Sequence, residues 1–405
     1  MNDSKPKVLI LLDRLVIGGQ AVDVIPLCYY LQSSFDIQIA YGKKKKEDTE
    51  AHFLLTHYSG LAIHKLRFLQ KTSNPFTNLL AYFEIKQLIR STNPNILHTN
   101  AVKCGVLGRW AAYRLKTPVI IHTFHGHFFH SYFNILFSKA VMLIENKLAT
   151  LSDAIIATSK AQATDLVQLY KITSLKKVHV ITLGLDNYFF QKQIQNQEYS
   201  FLQAFPVAEK TITIGIIARI VKVKNFQLFV QVVKKVITAS EKQVQFFVIG
   251  DGHLKTSIQQ SLTQNGVTWC EKHNYNASNN VVFTSWMPYV VSALQTLDIS
   301  ILTSNNEGTG LSLAESQFFG KPVVATAVGG VVDTVINGET GFLVPENNVD
   351  AFAEKLLLLV NDDSLRLKMG IAAKQFAQEK FSKQAEVNQI SNLYRTLLVE
   401  NNIAH

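Results

Sequence analysis

Two glutamates, Glu307 and Glu315, stand eight positions apart across "EGTGLSLAE", and no large polar side chain lies between them. Eight residues of continuous helix rise about 12 Å, too far for two carboxyls to share a proton, but about the length of a sugar diphosphate joined to a ribose. Each carboxylate can accept paired hydrogen bonds from neighbouring hydroxyls. Gly308 and Gly310 allow the intervening backbone to approach a ligand closely, and the helix that starts after them directs its positive end at an anion. A blander reading remains: a glutamate near a helix start complements the dipole, and Glu307 can simply stabilise its loop. Arg219 and Lys224 in "ARIVKVK" supply a cation pair able to neutralise a leaving diphosphate, or are ordinary solvated cations. "IIHTFHGHFFH" gathers His122, His125, His127 and His130. Their spacing does not put all four on one helical face and no carboxylate or cysteine accompanies them, so a metal site is not expected.

These residues need elements to carry them. The chain opens with a buried-strand run, "KVLILL", then a loop holding Gly18 and Gly19, then a helical pattern from Ala21 to Leu31. Strand-like "NILHTN", "PVIIHTF", "AIIATS" and "KVHVIT" alternate with helical patterns over 77–90, 102–115, 135–149 and 160–170. That alternation predicts an α/β domain with a parallel sheet covered on both faces. Periodicity lapses in the polar stretch 191–210, read as a linker. A second series follows: "TITIGIIARI", "VQFFVIGDG", "NNVVFTSW", "ISILTS", "PVVATAVGG" and "TGFLV". The expected domains are therefore 1–200 and 201–384, with a last amphipathic helix over 385–405. Two Rossmann-like, doubly wound domains would face a shared cleft, with ligands at the carboxyl ends of their strands.

Length and composition agree with this organisation. The chain has 405 residues, 47% of them hydrophobic and 17% charged, enough for two separate cores. Its net charge is +10, and residues 1–200 carry all of the excess, with 23 Lys and Arg against 13 Asp and Glu. The basic run at Lys43–Lys46 lacks interleaved aromatics, which argues against nucleic acid. Three scattered cysteines form no disulfide or zinc pattern. No apolar run is long enough for a membrane span or signal-peptide core, so a cytoplasmic location is expected.

The stretch "EGTGLSLAESQFFGKPVVATAVGG" resembles the nucleotide-sugar signature of family 4 retaining glycosyltransferases, which have the GT-B fold. Further motifs in the same order are similar to that family: "IARIVKVKNFQLFV", "VIGDGHLK", "LGLDNYFF" and "RLVIGGQAVDVIPL". The resemblance implies a nucleotide-sugar donor, with a UDP-sugar favoured, and no other cofactor. It implies donor contacts from Gly18, Gly19, Arg219, Lys224, Gly252, Gly308, Thr309, Gly310, Leu311, Ser312 and Glu315, with Arg219 and Lys224 on the diphosphate. It implies catalytic roles for Glu307, which positions the donor, and for His125, which holds a sugar hydroxyl at the reacting carbon, with His127 in reserve. The C-terminal helix would cross back to the first domain. The sequence departs from the commonest pattern at Thr309, where Phe is more usual, and at Gln20 and Ala21, which replace Ala-Glu.

No Asp-x-Asp triplet occurs in the chain, so metal-independent transfer is expected, with Arg219, Lys224 and helix-end amides supplying the positive field. Transfer with retention is implied, the departing phosphate taking the acceptor's proton. The segment Ser131–Leu151 sets Phe133, Leu136, Phe137, Val141, Ile144 and Leu148 at helical intervals with Lys139 and Lys147 among them. Such a helix can rest on an anionic membrane or face a core. In the first case a saccharide or lipid-linked saccharide of surface polysaccharide synthesis is the expected acceptor. The rivals are a nucleotide-sugar 2-epimerase on the same fold and an inactive nucleotide-sugar-binding subunit.

Overall fold

The computed structural model describes residues 5–403 apart from 47, 71, 73, 127–134, 196–199 and 288–289. The chain forms two compact units, Met1–Gly184 together with Lys383–His405, and Leu185–Ser382.

The first unit is built on β1 (Lys7–Leu12), β2 (Asp36–Tyr41), β3 (Ala62–Lys65), β4 (Ile96–Asn100), β5 (Val119–Phe124), β6 (Ala154–Ala157) and β7 (Val178–Val180), in the spatial order β3-β2-β1-β4-β5-β6-β7. Every neighbouring pair is parallel. The unbroken apolar run of β1 follows from this arrangement. Val8 to Leu12 are all essentially inaccessible, because helices cover both faces of a parallel sheet. Weak signals hid β2 and β3, whose mixed sequences "DIQIAY" and "AIHK" occupy the sheet margin.

The second unit repeats the plan with β8 (Ile212–Ile217), β9 (Val244–Ile249), β10 (Trp269–Glu271), β11 (Val281–Ser285), β12 (Ile299–Leu302), β13 (Val323–Thr326) and β14 (Gly341–Val344). Their order is β10-β11-β9-β8-β12-β13-β14, again with parallel neighbours. Alternate residues of β9 feed two different cores: Phe246 and Val248 join one cluster, Phe247 and Ile249 another.

The polar stretch 191–210 is not a linker. Helices Asn187–Gln195 and Phe201–Ala204 occupy much of it, and Phe201 and Phe205 are fully buried, packed on each other and on Phe247. The Phe201 amide donates to Ser292 Oγ at 2.7 Å. Two aromatic anchors therefore tie this segment to the second unit, and the chain divides after Gly184 instead of at 200. On that division the first unit carries 24 Lys and Arg against 13 Asp and Glu, the second 16 against 17.

The last helix, Lys383–Glu400, belongs to the first unit. Its Ile390, Leu397 and Leu398 are buried, and the Tyr394 hydroxyl meets His98 Nδ1 at 2.6 Å. Lys383 is also buried and donates to Asp23 Oδ1 at 2.7 Å and to Glu386 Oε2 at 2.6 Å. The Gly184 amide donates to the same Glu386 oxygen at 2.8 Å, so this cluster also fastens the chain where the first unit ends. Burial alone would lower the Lys383 pKa, but Asp23 and Glu386 outweigh it and hold the ammonium charged. Among the described residues no helix is long and apolar enough to cross a membrane.

Candidate functional site

In the second unit the chain passes from β8 to β9 on one side and later returns to β12 on the other side of β8. The strand order reverses there, and loops leaving neighbouring strands in opposite directions open a crevice at their carboxyl ends. The two loops concerned are 218–225 and 303–310, where the sequence places Arg219, Lys224 and the first glutamate. They are stitched together. The Asn305 amide donates to the Val223 carbonyl at 2.8 Å, Thr303 Oγ1 to the Lys224 carbonyl at 2.9 Å, and Asn225 Nδ2 to Asn305 Oδ1 at 2.8 Å.

Glu307 lies on this loop with its Oε1 bound by the Lys224 ammonium and by Ser304 Oγ, the latter at 2.6 Å. The sequence reading puts Lys224 beside Arg219 on a diphosphate, whereas here Lys224 neutralises Glu307. Arg219 is exposed and makes no ion pair among the described residues. The glycine pair after β13 holds the loop from behind. Gly330 donates its amide to the Glu307 carbonyl at 3.1 Å, and Gly329 has φ +48° with its absent Cβ only 2.2 Å from that oxygen. A side chain at 329 would push Glu307 out of place.

Gly308 and Thr309 are buried, and the Thr309 carbonyl accepts a hydrogen bond from Thr334 Oγ1. Gly310, at φ +73°, begins the helix Leu311–Phe318 and gives it no side-chain cap. The first-turn amides of Leu311 and Ser312 thus begin the helix without the usual capping oxygen, the condition under which a helix start binds an anion. Glu315 sits five residues into this helix and is only 8% exposed. Burial pushes its carboxyl up to about 7, with no cation nearby to oppose the shift. The two glutamates therefore differ: Glu307 is already neutralised by a lysine, while Glu315 is buried without a counter-charge.

Gly252 has a structural explanation. An added Cβ would lie 2.3 Å from the Ile220 carbonyl oxygen, and the Ile220 amide donates to the Asp251 carbonyl at 2.9 Å. This glycine lets the 250–252 turn back the Arg219 loop.

The first unit has its own reversal between β1 and β4. Gly18 precedes the helix Gly19–Leu31 and leaves it without a side-chain cap. Gln20 Nε2 donates to the Asn100 carbonyl at 2.8 Å, and His125 Nε2 meets Asn100 Oδ1, also at 2.8 Å. Asn100 thus joins the glycine loop to His125. Burial lowers the His125 pKa, Asp23 opposes this and Lys383 reinforces it, so the ring is neutral near pH 7. His122 is fully buried against Thr99 Oγ1 at 2.8 Å and is a core histidine. His127 and His130 lie outside the described residues. Among the described residues no group of three or more His, Cys, Asp or Glu could hold a metal ion.

Sequence reasoning passed over Asn100, which closes "NILHTN" and was read only as strand, and Ser304, an unremarkable serine. It also missed the Asp23–Lys383 pair, whose members are 360 positions apart. Only the position of a small polar residue at a strand's carboxyl end could have drawn attention to Asn100.

The glycosyltransferase family 4 model matches residues 17–187, and the glycosyl transferases group 1 model matches residues 200–376. The chain is a glycosyltransferase with a family 4 domain followed by a group 1 domain. A capsular polysaccharide biosynthesis glycosyltransferase of Staphylococcus aureus, CapM, is 27% identical to this glycosyltransferase over 338 residues, covering 80% of this chain and 83% of CapM. A UDP-Gal:alpha-D-GlcNAc-diphosphoundecaprenol alpha-1,3-galactosyltransferase of Escherichia coli is 24% identical over 331 residues, 80% of each chain. In fold, the glycosyltransferase resembles Anabaena Alr3699/HepE, solved in complex with UDP and glucose, with a TM-score of 0.76 at 17% identity over 96% of this chain and 100% of the other. That likeness confirms the two-domain α/β GT-B fold.

Proposed function

We propose that this glycosyltransferase moves a hexosyl or N-acetylhexosaminyl group, with retention, from a UDP-sugar to a saccharide or lipid-linked saccharide in surface polysaccharide synthesis. The observation that carries the donor half is the helix start at Gly310: uncapped, at the strand-order reversal, with a neutralised Glu307 before it and the buried, uncompensated Glu315 within it. On this reading the diphosphate lies against the Leu311 and Ser312 amides, with Gly308 and Thr309 in the adjoining loop. Glu315 accepts the two ribose hydroxyls and Glu307 the sugar hydroxyls. Paired donors replace the water that burial has removed from Glu315.

As the bond from the sugar's anomeric carbon to the phosphate oxygen breaks, negative charge grows on the diphosphate, and Arg219, the helix end and a share of Lys224 stabilise it. The acceptor oxygen forms its bond to the same face of the anomeric carbon, and its proton passes to the departing phosphate oxygen. Glu307 positions the donor and forms no bond to it. His125, on the first unit, holds a sugar hydroxyl. This cation set makes metal-independent transfer the expected chemistry. The type of acceptor is suggested by the names of the capsular and diphosphoundecaprenol-directed relatives.

Contact with an anionic membrane is part of the proposal. The helix Ile135–Thr150 exposes Leu143 and Ile144 beside Lys139 and Lys147, on the unit that holds the whole positive excess. Val141 is half-buried and Leu148 buried, so part of the expected apolar stripe faces the core instead, and Phe133 and the side chains of Leu136 and Phe137 lie outside the described residues.

The test offers radiolabelled UDP-, GDP- and dTDP-sugars with and without a membrane extract, using wild type and Glu307→Ala. Label entering lipid or polysaccharide only from a UDP-sugar and only with wild type supports the reading. Conversion of the donor to an epimer without acceptor replaces it with 2-epimerisation, and donor binding without turnover replaces it with an inactive binding subunit.

A further inference from the structure

Buried polar atoms without partners are uncommon in folded proteins, and two of them belong to a hydrogen-bonded pair of side chains in the first unit. Asn100 ends β4 and His125 follows β5, neighbouring interior strands, so both lie at the carboxyl end of the sheet. His125 Nε2 and Asn100 Oδ1 are 2.8 Å apart. Because an amide oxygen only accepts, the imidazole carries its proton on Nε2 and leaves Nδ1 as an acceptor. Nδ1 of His125 and Nδ2 of Asn100 are both buried with no hydrogen-bond partner among the described residues. The ring thus keeps a free acceptor, Nδ1, on the side turned away from Asn100, a partner for a hydroxyl that donates.

The surroundings fix Asn100 more firmly than a loop residue requires. Its carbonyl accepts from Gln20 Nε2 and from Cys104 Sγ. Ala101 follows with φ +91° and ψ 167°, a conformation that a residue with a Cβ rarely adopts. Strain of this sort persists only where neighbouring structure imposes it.

We propose that Asn100 is a positioning residue for transfer: it fixes the tautomer and ring plane of His125, so that the ring's Nδ1 stands as the acceptor for a sugar hydroxyl. This rests on the transferase reading above. The charged and titratable groups around the ring are Asp23 on the helix Gly19–Leu31, Lys383 on the last helix, and the neutral His98 and His122 on β4 and β5. None of them hydrogen-bonds the His125 ring, so Asn100 alone among these groups selects its tautomer.

The experiment compares wild type, Asn100→Ala and Asn100→Asp by nitrogen NMR of labelled histidine and by transfer kinetics from pH 5.5 to 9. In Asn100→Ala the His125 signals should move from a single Nε2-protonated form to a mixture of tautomers. Its kcat/KM should fall about tenfold or more, the loss of one oriented hydrogen bond. Affinity for UDP alone should hold, because the nucleotide contacts lie on the other unit. Asn100→Asp, nearly isosteric, puts a carboxylate on Nε2; it should raise the His125 pKa and move the acid limb of the rate profile to higher pH. A rise in donor KM assigns the hydroxyl to the donor sugar, and a rise in acceptor KM assigns it to the acceptor; either supports the proposal. Unchanged His98 and His122 signals show that the fold is intact. The proposal is overturned if the His125 tautomer is the same in wild type and Asn100→Ala, or if both variants transfer sugar at the wild-type rate. Absence of transfer by wild type with every donor would instead defeat the transferase reading, and the tautomer result would still decide the role of Asn100.

Discussion

Replacing Glu315 by Gln should stabilise the free protein while weakening its hold on the nucleotide. Burial raises the Glu315 carboxyl from 4.5 in the unfolded chain to about 7 in the folded one, a cost that no cation offsets. Between those values the unfolded chain has lost the proton and the native protein still holds it, so stability falls as pH rises from about 4.5 to about 7 and then levels off. The span of the shift corresponds to about 3 kcal/mol. Gln has the same shape and no charge, so the Glu315→Gln protein should lack this loss. Urea unfolding should show the variant close to wild type at pH 4 and more stable by up to about 3 kcal/mol at pH 8. UDP should protect wild type at pH 8 and protect the variant much less, since an uncharged amide cannot accept paired hydrogen bonds from a diol as a carboxylate does. A variant less stable than wild type at pH 8, or a stability difference independent of pH, would refute the account of a buried, uncompensated carboxylate. Undiminished protection by UDP would refute its place on the ribose.

Gly329→Ala sets a Cβ against the Glu307 carbonyl at a left-handed position; transfer should fall by more than tenfold, with a destabilisation of about 1–3 kcal/mol in urea melts. Lys383→Met removes the cation between Asp23 and Glu386 and should cost about 3–5 kcal/mol at pH 9, less at pH 6, where Glu386, pushed up to about 8 by burial, holds its proton, as read from urea titrations at both pH values. Phe201→Ala should destabilise by about 3–5 kcal/mol, measured by thermal and urea unfolding, because the ring is an anchor of the second unit's core and not part of a linker.

The two strand-rich halves were legible because strands buried on both faces must be continuously apolar, as "KVLILL" and "VQFFVI" are. The helix bearing Glu315 was legible from its glycine start, since Gly310 takes a left-handed backbone that glycine adopts without strain. Local chemistry of this type is written in neighbouring residues, so sequence alone pointed to the fold class and to the glycosyltransferase domains. What it could not determine depends on residues far apart in the chain. The segment 191–210 looked like a linker because its composition is polar, and only the packing of Phe201 and Phe205 on Phe247 assigns it to the second unit. Lys224 and Glu307 are 83 positions apart, and only the adjacency of β8 and β12 brings them into an ion pair. His125 finds Asn100 in the same way, across β4 and β5. Sequence specifies which groups are present and how each local segment bends; the order of strands in a sheet decides which groups share a desolvated site, and desolvation sets their charge.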